Sequence, residues 1–246
     1  MNSSIKRNTK LGMADFVPAP VIIAALLLAN ATLMSAAQTP GVLPPFSKPH
    51  GKTYGEWSAA WWKWAMDLPV QGHPFIDGPS FDVSQGQSGQ VWFLGSPLGT
   101  IERTCTIPTG TALFIAMNTA EASNLEGLGN TEDEQRATAR WLADHAVHAD
   151  RTLGSFCIID GVAVRNTAEY RVQSPQFTFT APTPWIFGDV GGAGTSVADG
   201  YYVMIAPLSK GKHTIRFGES WHFSVAEGDG FDFDAYFDTT YHITVE

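Results

Sequence analysis

The chain has little cysteine and none of the short motifs that mark common enzymes. Cys105 and Cys157 are its two cysteines, so it has no Cys-x-x-Cys redox or zinc motif. No His-Glu-x-x-His motif occurs, and Gly86–Gln90 lacks the final glycine of Gly-x-Ser-x-Gly. Gly188–Gly194 is glycine-rich but matches neither a dinucleotide-binding turn nor a phosphate-binding loop. A Ser-His-Asp triad assembled from distant positions stays open.

Basic residues are also scarce. Outside residues 1–37 the chain holds 12 Lys and Arg against 23 Asp and Glu, a net charge of −11 with neutral His. Nucleic acids and anionic membranes are bound by clustered basic side chains, so no nucleic-acid partner is predicted. A surface this acidic favours solubility and attracts cations.

Long apolar runs are missing as well. Val21–Ala29 is uninterrupted, whereas a membrane-spanning helix needs about 20 predominantly apolar residues. A basic segment, residues 6–10, precedes this run, and Ser35–Ala37 supplies small residues after it. That order is typical of a secretory signal. Residues 1–37 are therefore predicted to be a signal peptide, and the product to be periplasmic or secreted with no stable membrane anchor after cleavage. A retained anchor is the rival interpretation.

The remainder divides into an arm and a domain. Residues 38–51 are rich in proline and polar residues and are predicted to form an extended arm, and residues 52–246 suffice for a single β domain. Cys105 and Cys157 both lie in predicted strands of this domain. An oxidising compartment favours bonding of such a pair, which predicts a disulfide. Two free, buried thiols are the alternative.

The chain does contain many short runs rich in β-branched and aromatic residues. From Val91 onward these runs are bounded by Gly, Pro and Ser, which predicts strands. Asp160 and Gly161 separate two of the runs and predict a tight hairpin. Many short strands with few helices between them predict a mainly β fold, an antiparallel β-sandwich that is jelly-roll-like.

Two helices are predicted beside the strands. Residues 53–68 place three Trp residues on one stripe at helical spacing, typical of a face that packs on the core. This is the predicted N-terminal Trp-rich helix. Thr131 and Glu134 form a capping box, which predicts an inserted helix near residues 131–151.

Aromatic residues outside the buried stripe are candidates for ligand binding. Trp62 lies off the stripe and is predicted to be exposed. Residues 181–200 form a long predicted connection that carries Trp185 and Phe187 beside several glycines, and connections of this length often bind ligands. The candidate ligand-binding residues are therefore Trp62, Trp185 and Phe187, together with one basic residue, Arg216. Folding of Trp185 back onto the sandwich is the alternative.

Alternation along the last strands predicts a polar outer face. The residues predicted to point inward are Phe217, Phe223, Phe231, Phe233, Ile243 and Val245. Those predicted to point outward are Arg216, His222, Asp232, Asp234 and His242. Imidazole and carboxylate groups suit zinc, and carboxylates alone suit calcium, so His222, Asp232, Asp234 and His242 are candidate metal ligands. A solvated strand face without a metal is the alternative.

Several short segments of the sequence resemble those of a known group of proteins. They are Tyr54–Ser58 before Trp61–Trp64, Gly86–Gly89 before Val91–Leu94, Tyr170–Pro175 and Tyr241–Val245. On these segments residues 52–246 resemble a group of uncharacterised exported bacterial proteins. The resemblance implies export and a β-sandwich. It implies no substrate, cofactor or catalytic residue.

Three hypotheses about function follow. The first is an exported, non-catalytic β-sandwich that binds a carbohydrate or another envelope component, which rests mainly on analogy of fold. The second is a secreted metal-dependent or acid–base hydrolase or lyase that uses His222, His242 and Asp234. The third is a structural or assembly subunit of the cell envelope.

Overall fold

The predicted fold class, a mainly β sandwich with two helices, is confirmed. A computed structural model describes residues 41–76, 78, 81–97 and 99–246, and these residues form two five-stranded sheets and two α-helices. The predicted signal peptide, residues 1–37, lies outside the described residues. In the part of the chain that is described, no helix has both the length and the apolar character needed to cross a membrane.

The elements are numbered in chain order. The helices are α1 (Tyr54–Asp67) and α2 (Glu132–Asp144). The strands are β1 (Val91–Leu94), β2 (Gly99–Ile107), β3 (Ala112–Ser123), β4 (Phe156–Ile159), β5 (Val162–Ala163), β6 (Arg171–Gln173), β7 (Phe177–Ala181), β8 (Gly192–Ile205), β9 (Gly211–Phe223) and β10 (Phe233–Val245).

Each sheet combines strands from distant parts of the chain. Sheet A has the order β1-β3-β8-β6, with β7 also paired to β8, and sheet B has the order β2-β10-β9-β4-β5. The pairing is antiparallel as predicted except for β1 with β3 and β2 with β10, which are parallel. Parallel neighbours need long crossover connections, so local alternation could not reveal these two pairs.

Helix α1 covers one face of sheet A with aromatic side chains. Thr53 caps the helix by accepting from the Glu56 backbone N–H, and the Glu56 carboxylate accepts from the Thr53 backbone at 2.7 Å. The Trp57 ring lies 6.4 Å from Phe114, which in turn stacks on Tyr202 at 5.3 Å. The predicted helix and its buried Trp stripe are therefore confirmed.

Helix α2 begins where predicted and ends earlier. The predicted capping box at its N-terminus is confirmed. The helix ends at Asp144 rather than near residue 151, because the chain folds back and the His148 N–H donates to the Thr152 carbonyl at 2.9 Å. Ala139 on its buried side packs in a small cluster with apolar residues of β3 and β8.

Strand β3 changes its pairing along its length. It pairs with β1 only as far as Ile115, opposite Leu94, and a β-bulge follows between Ala116 and Asn118. Beyond the bulge, the Asn118 side chain donates to the Ser220 carbonyl of β9 at 3.1 Å, which ties this part of sheet A to sheet B. Bulges re-aim side chains, and the candidate site described below lies at this point.

The predicted hairpin is confirmed and the predicted long connection is shorter. Asp160 and Gly161 join β4 to β5, with φ of 48° and 80°, the left-handed conformation that Asp and Gly adopt in tight hairpins. The connection predicted over residues 181–200 shrinks to residues 182–191, because β8 begins at Gly192 and pairs with β7.

The predicted alternation in β9 and β10 holds for the middle of these strands. Phe217 and Ile243 are buried as expected. Phe231 and Phe233 are predicted to be buried but are 48% and 46% exposed, since Phe233 is the first residue of β10 and Phe231 lies in the connection before it.

The predicted disulfide between Cys105 and Cys157 is wrong, and both cysteines are free. Both lie in sheet B, but Cys105 is on β2 and Cys157 on β4, with β10 and β9 between them. Three strand spacings amount to about 14 Å, well beyond the reach of a disulfide. Burial raises the pKa of the Cys105 thiol to about 11 and that of Cys157 to about 12, which keeps both protonated and unreactive.

Phe114→Ala should destabilise the protein strongly. Phe114 is fully buried between α1 and sheet A, so its truncation leaves a cavity among rings that cannot collapse. We expect the free energy of unfolding to fall by about 3–5 kcal/mol in urea denaturation. Val162→Ala, at a 51% exposed side chain, is the control and should change little. Equal losses for the two variants would contradict the packing described.

The two thiols should be silent in the folded protein and available after unfolding. We expect no reaction of the native protein with a thiol reagent at mildly alkaline pH, and reaction of both Cys105 and Cys157 in urea. Thermal unfolding should be the same with and without reductant. A denatured protein without reactive thiols would contradict the strand order of sheet B.

Candidate ligand-binding site

A cavity of about 390 Å³ opens beside β3 just past its bulge. Ala116 and Thr119 of β3 contribute to its lining, together with Ser96, which follows the end of β1. Thirteen described residues line it, and seven of them are aromatic. We call it the aromatic cavity. A concave, largely apolar lining with few polar groups is typical of sites for small molecules.

Helix α1 and the segment after it supply one wall. Trp61 stacks on Phe75 with ring centroids 5.5 Å apart, and Trp62 meets these rings edge-on at 5.1 and 5.7 Å. The prediction that Trp62 is exposed is wrong, because it is 5% exposed and its indole N–H donates to Thr119 Oγ1 at 2.9 Å. Helix α1 packs on sheet A on one side and against the Phe75 segment on another. Its buried surface is therefore wider than the stripe of Trp residues predicted from helical spacing, and it includes Trp62.

The loop between β7 and β8 supplies a second wall. Phe187 lines the cavity 6.4 Å from Trp62 and is 41% exposed. Trp185 is buried, stacks on Phe179 and meets Phe187 edge-on at 5.4 Å. Of the three aromatic residues predicted to bind a ligand, Trp62 and Phe187 therefore line the cavity. Trp185 instead folds back onto the sandwich and packs against Phe187.

Sheet B supplies the third wall and its one acid. Glu219 and Trp221 of β9 line the cavity with Phe233 and Phe237 of β10, and Phe237 is the register partner of Glu219. Alternation places Glu219 on the same inward face of β9 as the buried Phe217. Glu219 is not among the residues predicted from the sequence. It could have been recognised as an acidic residue at a strand position that the alternation of β9 predicts to face the apolar core.

The environment of Glu219 disfavours its charge. Burial among apolar walls raises its pKa from 4.5 to about 8, while hydrogen bonds from the Trp221 side chain and the Thr119 backbone offset part of this rise. Its Oε2 atom is shielded from solvent and has no hydrogen-bond partner among the described residues. Glu219 therefore holds a proton at neutral pH and keeps one unsatisfied oxygen.

The two hydroxyl groups of the lining are already engaged. Ser96 Oγ lies 2.7 Å from Thr239 Oγ1. Thr119 Oγ1 accepts from the Trp62 indole and also bonds the Tyr202 hydroxyl. Glu219 is thus the lining side chain whose hydrogen-bonding capacity is left for a ligand.

A buried arginine holds the segments that frame the cavity. Arg103 of β2 donates to the carbonyls of Pro74 at 2.9 Å and Gly95 at 3.3 Å. Phe75 and Ser96, the next residues along each segment, line the aromatic cavity. Arg103 therefore positions two walls without itself lining the cavity.

Arg216 is the predicted ligand-binding residue that lies elsewhere. It faces outward from β9 as expected and forms a two-point ion pair with Asp238 of β10, with Nε donating at 2.8 Å. Its guanidinium also lies 5.4 Å over the Phe156 ring. It does not line the aromatic cavity, because Glu219 and Arg216 are on opposite faces of the same strand.

The four predicted metal ligands do not converge. His222 Nδ1 lies 2.7 Å from Asp234, but Asp232 accepts from a backbone N–H, and His242 pairs with Glu102 at 3.3 Å. His242 is eight residues beyond Asp234 on β10, which corresponds to about 27 Å of strand. Within the described residues no group of three or more His, Cys, Asp or Glu is placed to hold a metal ion. The zinc or calcium hypothesis has no ligand cluster to support it there.

Comparisons with known proteins add no family. No family model and no curated protein matches the chain. A solved structure titled "Solution Structure of Amebosin" is similar over 61% of this chain and 99% of its own, at 12% identity and a TM-score of 0.17. A TM-score this low carries no argument about fold or function. The resemblance to exported bacterial proteins stays a prediction.

Glu219→Gln should remove a pH-dependent loss of stability. A carboxyl whose pKa rises on folding contributes its full stability below its unfolded value of 4.5 and loses it as the pH climbs through about 8. Across this window the free energy of unfolding of the wild type should fall relative to that of the variant, by at most about 1.4 kcal/mol per pH unit. Urea denaturation at several pH values measures this. Parallel stability profiles for the two proteins would rule out a buried acid at this position.

Proposed function

We propose that this protein is an exported, non-catalytic β-sandwich that binds a small, largely apolar ligand in the aromatic cavity. The observation that carries the proposal is the combination, in one cavity, of seven aromatic side chains and a carboxyl oxygen without a partner. The signal-peptide pattern of residues 1–37 supports delivery to the periplasm or the medium.

The polar groups of the cavity favour a ligand with a single polar end. A sugar carries several hydroxyls, and each one that is buried needs a hydrogen-bond partner to offset the loss of water. Ser96 and Thr119 are already bonded within the protein, which leaves Glu219. A carbohydrate, the first hypothesis from sequence, is therefore less suitable than a mainly apolar molecule with one polar group.

Catalysis is not part of this proposal. Glu219 has the raised pKa that general acids have. However, the described residues that line the cavity include no second acid or base to act with it. His222 and Asp234, which the enzyme hypothesis used, pair on the outer side of sheet B.

Binding of neutral probes tests the proposal. Three Trp residues line the cavity, so a bound probe should change the intrinsic fluorescence. We expect saturable changes with cyclohexanol and with 3,3-dimethylbutan-1-ol. Phe187→Ala removes a partly exposed wall residue and should weaken both by about tenfold, because a ring contact contributes on the order of 1–2 kcal/mol.

The matched control is Phe46→Ala. Phe46 is 88% exposed and outside the cavity, so this variant should bind the probes as the wild type does. Failure of both probes to bind, or equal affinities for Phe187→Ala and the wild type, would overturn the proposal. Retention on a polysaccharide that Phe187→Ala abolishes would favour the carbohydrate hypothesis instead.

A further inference from the structure

We propose that the ligand of the aromatic cavity carries a quaternary ammonium group, for which the Glu219 carboxylate is the counter-ion. This inference rests on the proposed function, since it names the ligand class of the same cavity. It is carried by the arrangement of aromatic rings around one acid.

The rings approach the cavity from three directions. Trp62 comes from α1, Phe187 from the β7–β8 loop, and Trp221 and Phe233 from sheet B. The faces of aromatic rings carry negative electrostatic potential, and cages of such rings bind quaternary ammonium groups. Indole is the strongest of these rings for cations, and three indoles line this cavity.

The ionisable side chains that line the cavity favour a ligand with a positive charge. Glu219 is the one ionisable side chain among the described lining residues, and no Lys, Arg or His is present there to hold an anion. A ligand without any polar group would leave the buried Oε2 atom without a partner, whereas a cation beside it compensates the carboxylate.

The cavity offers few free hydrogen-bond acceptors, which favours a cation that has no N–H donors. A primary ammonium group has three N–H donors, and each needs an acceptor once it leaves water. The hydroxyls of Ser96 and Thr119 already have partners, so Glu219 alone could accept. A quaternary ammonium group has no N–H donors. Ring faces and one carboxylate therefore satisfy it fully.

Binding exchanges one cation for another. At neutral pH Glu219 is protonated, because burial raises its pKa to about 8. When the ammonium enters, the O–H bond of the carboxyl breaks, the proton goes to solvent, and the carboxylate pairs with the ligand. The cavity is neutral before and after binding, because the positive charge of the ligand replaces that of the departing proton, so one proton leaves for each cation that binds.

Other charged groups on the surrounding elements are paired away from Glu219. Asp238 of β10 pairs with Arg216 on the outer face of sheet B. Arg103 of β2 donates to the Pro74 and Gly95 carbonyls and to the Tyr241 hydroxyl. Glu121 of β3 does not line the cavity, accepts from the Ser196 hydroxyl, and has a pKa that burial and the neighbouring Glu126 raise. On α1, Lys63 pairs with Asp67. Tyr202, which bonds Thr119, stays neutral because burial raises its pKa. Glu219 is therefore the group expected to titrate with ligand.

A matched pair of probes tests the inference. Choline carries a trimethylammonium group, and 3,3-dimethylbutan-1-ol is its neutral carbon isostere. At about pH 8 we expect wild-type protein to bind choline at least about tenfold more tightly than the isostere. Choline affinity should rise up to about tenfold per pH unit between pH 6 and 7, because one proton is released. Calorimetry in phosphate and in MOPS should show close to one proton released for each choline bound at pH 7.

Glu219→Gln is the decisive variant. Gln keeps the shape of the side chain but cannot ionise, so choline binding should become at least about tenfold weaker at pH 8 and independent of pH. Phe46→Ala, at an exposed side chain outside the cavity, is the control and should bind choline with the affinity and pH dependence of the wild type. Proton release by the wild type needs no variant, so the test stands even if Glu219→Gln folds poorly.

The outcomes separate this inference from the proposed function. If the neutral isostere binds in a Phe187-dependent manner while choline binds no better and releases no proton, the ammonium inference fails and the proposed function stands. If neither probe binds, both fail. Choline binding with proton release supports the inference. Competition by phosphatidylcholine vesicles then indicates a lipid headgroup as the source, and its absence indicates a free solute.

Discussion

The buried guanidinium of Arg103 is the interaction on which the arrangement of the cavity depends. A charge inside a protein must be surrounded by acceptors, and Arg103 finds them in the Pro74 and Gly95 carbonyls and the Tyr241 hydroxyl. These groups belong to the segment after α1, the segment after β1, and β10. One side chain thus joins sheet B to both segments that continue into the cavity. The aromatic wall and the acid wall are held at a fixed separation as a result.

The burial of Glu219, unlike that of Arg103, is not fully compensated by hydrogen bonds. Its carboxyl occupies a strand position that packing alone would give to an apolar residue, and burial raises its pKa to about 8. A buried acid with an unsatisfied oxygen lowers stability, and functional sites are where proteins tolerate such features. Arg103 is buried with partners and serves the structure. Glu219 is buried with an oxygen left over, which is why we assign it to a ligand.

Local chemistry predicted much of the fold and little of the site. The capping box of Thr131 and the Asp160–Gly161 hairpin act over a few residues, so they could be predicted directly from the sequence and were confirmed. The parallel pairing of β2 with β10 joins distant segments, and it separates Cys105 from Cys157 where export had suggested a bond. Such pairings depend on competition among all strands, which no local pattern contains.

The sequence by itself determined the strands, the two helices, the acidic charge and the abundance of aromatic rings, because these follow from residue type and periodicity. Tertiary structure alone decided that Trp62 is buried, that Phe187 and Trp221 face one space, and that Glu219 lies among them. The reason is geometric. The cavity exists where β1 stops, β3 bulges and a loop folds back, and its walls come from residues more than 150 positions apart in the chain.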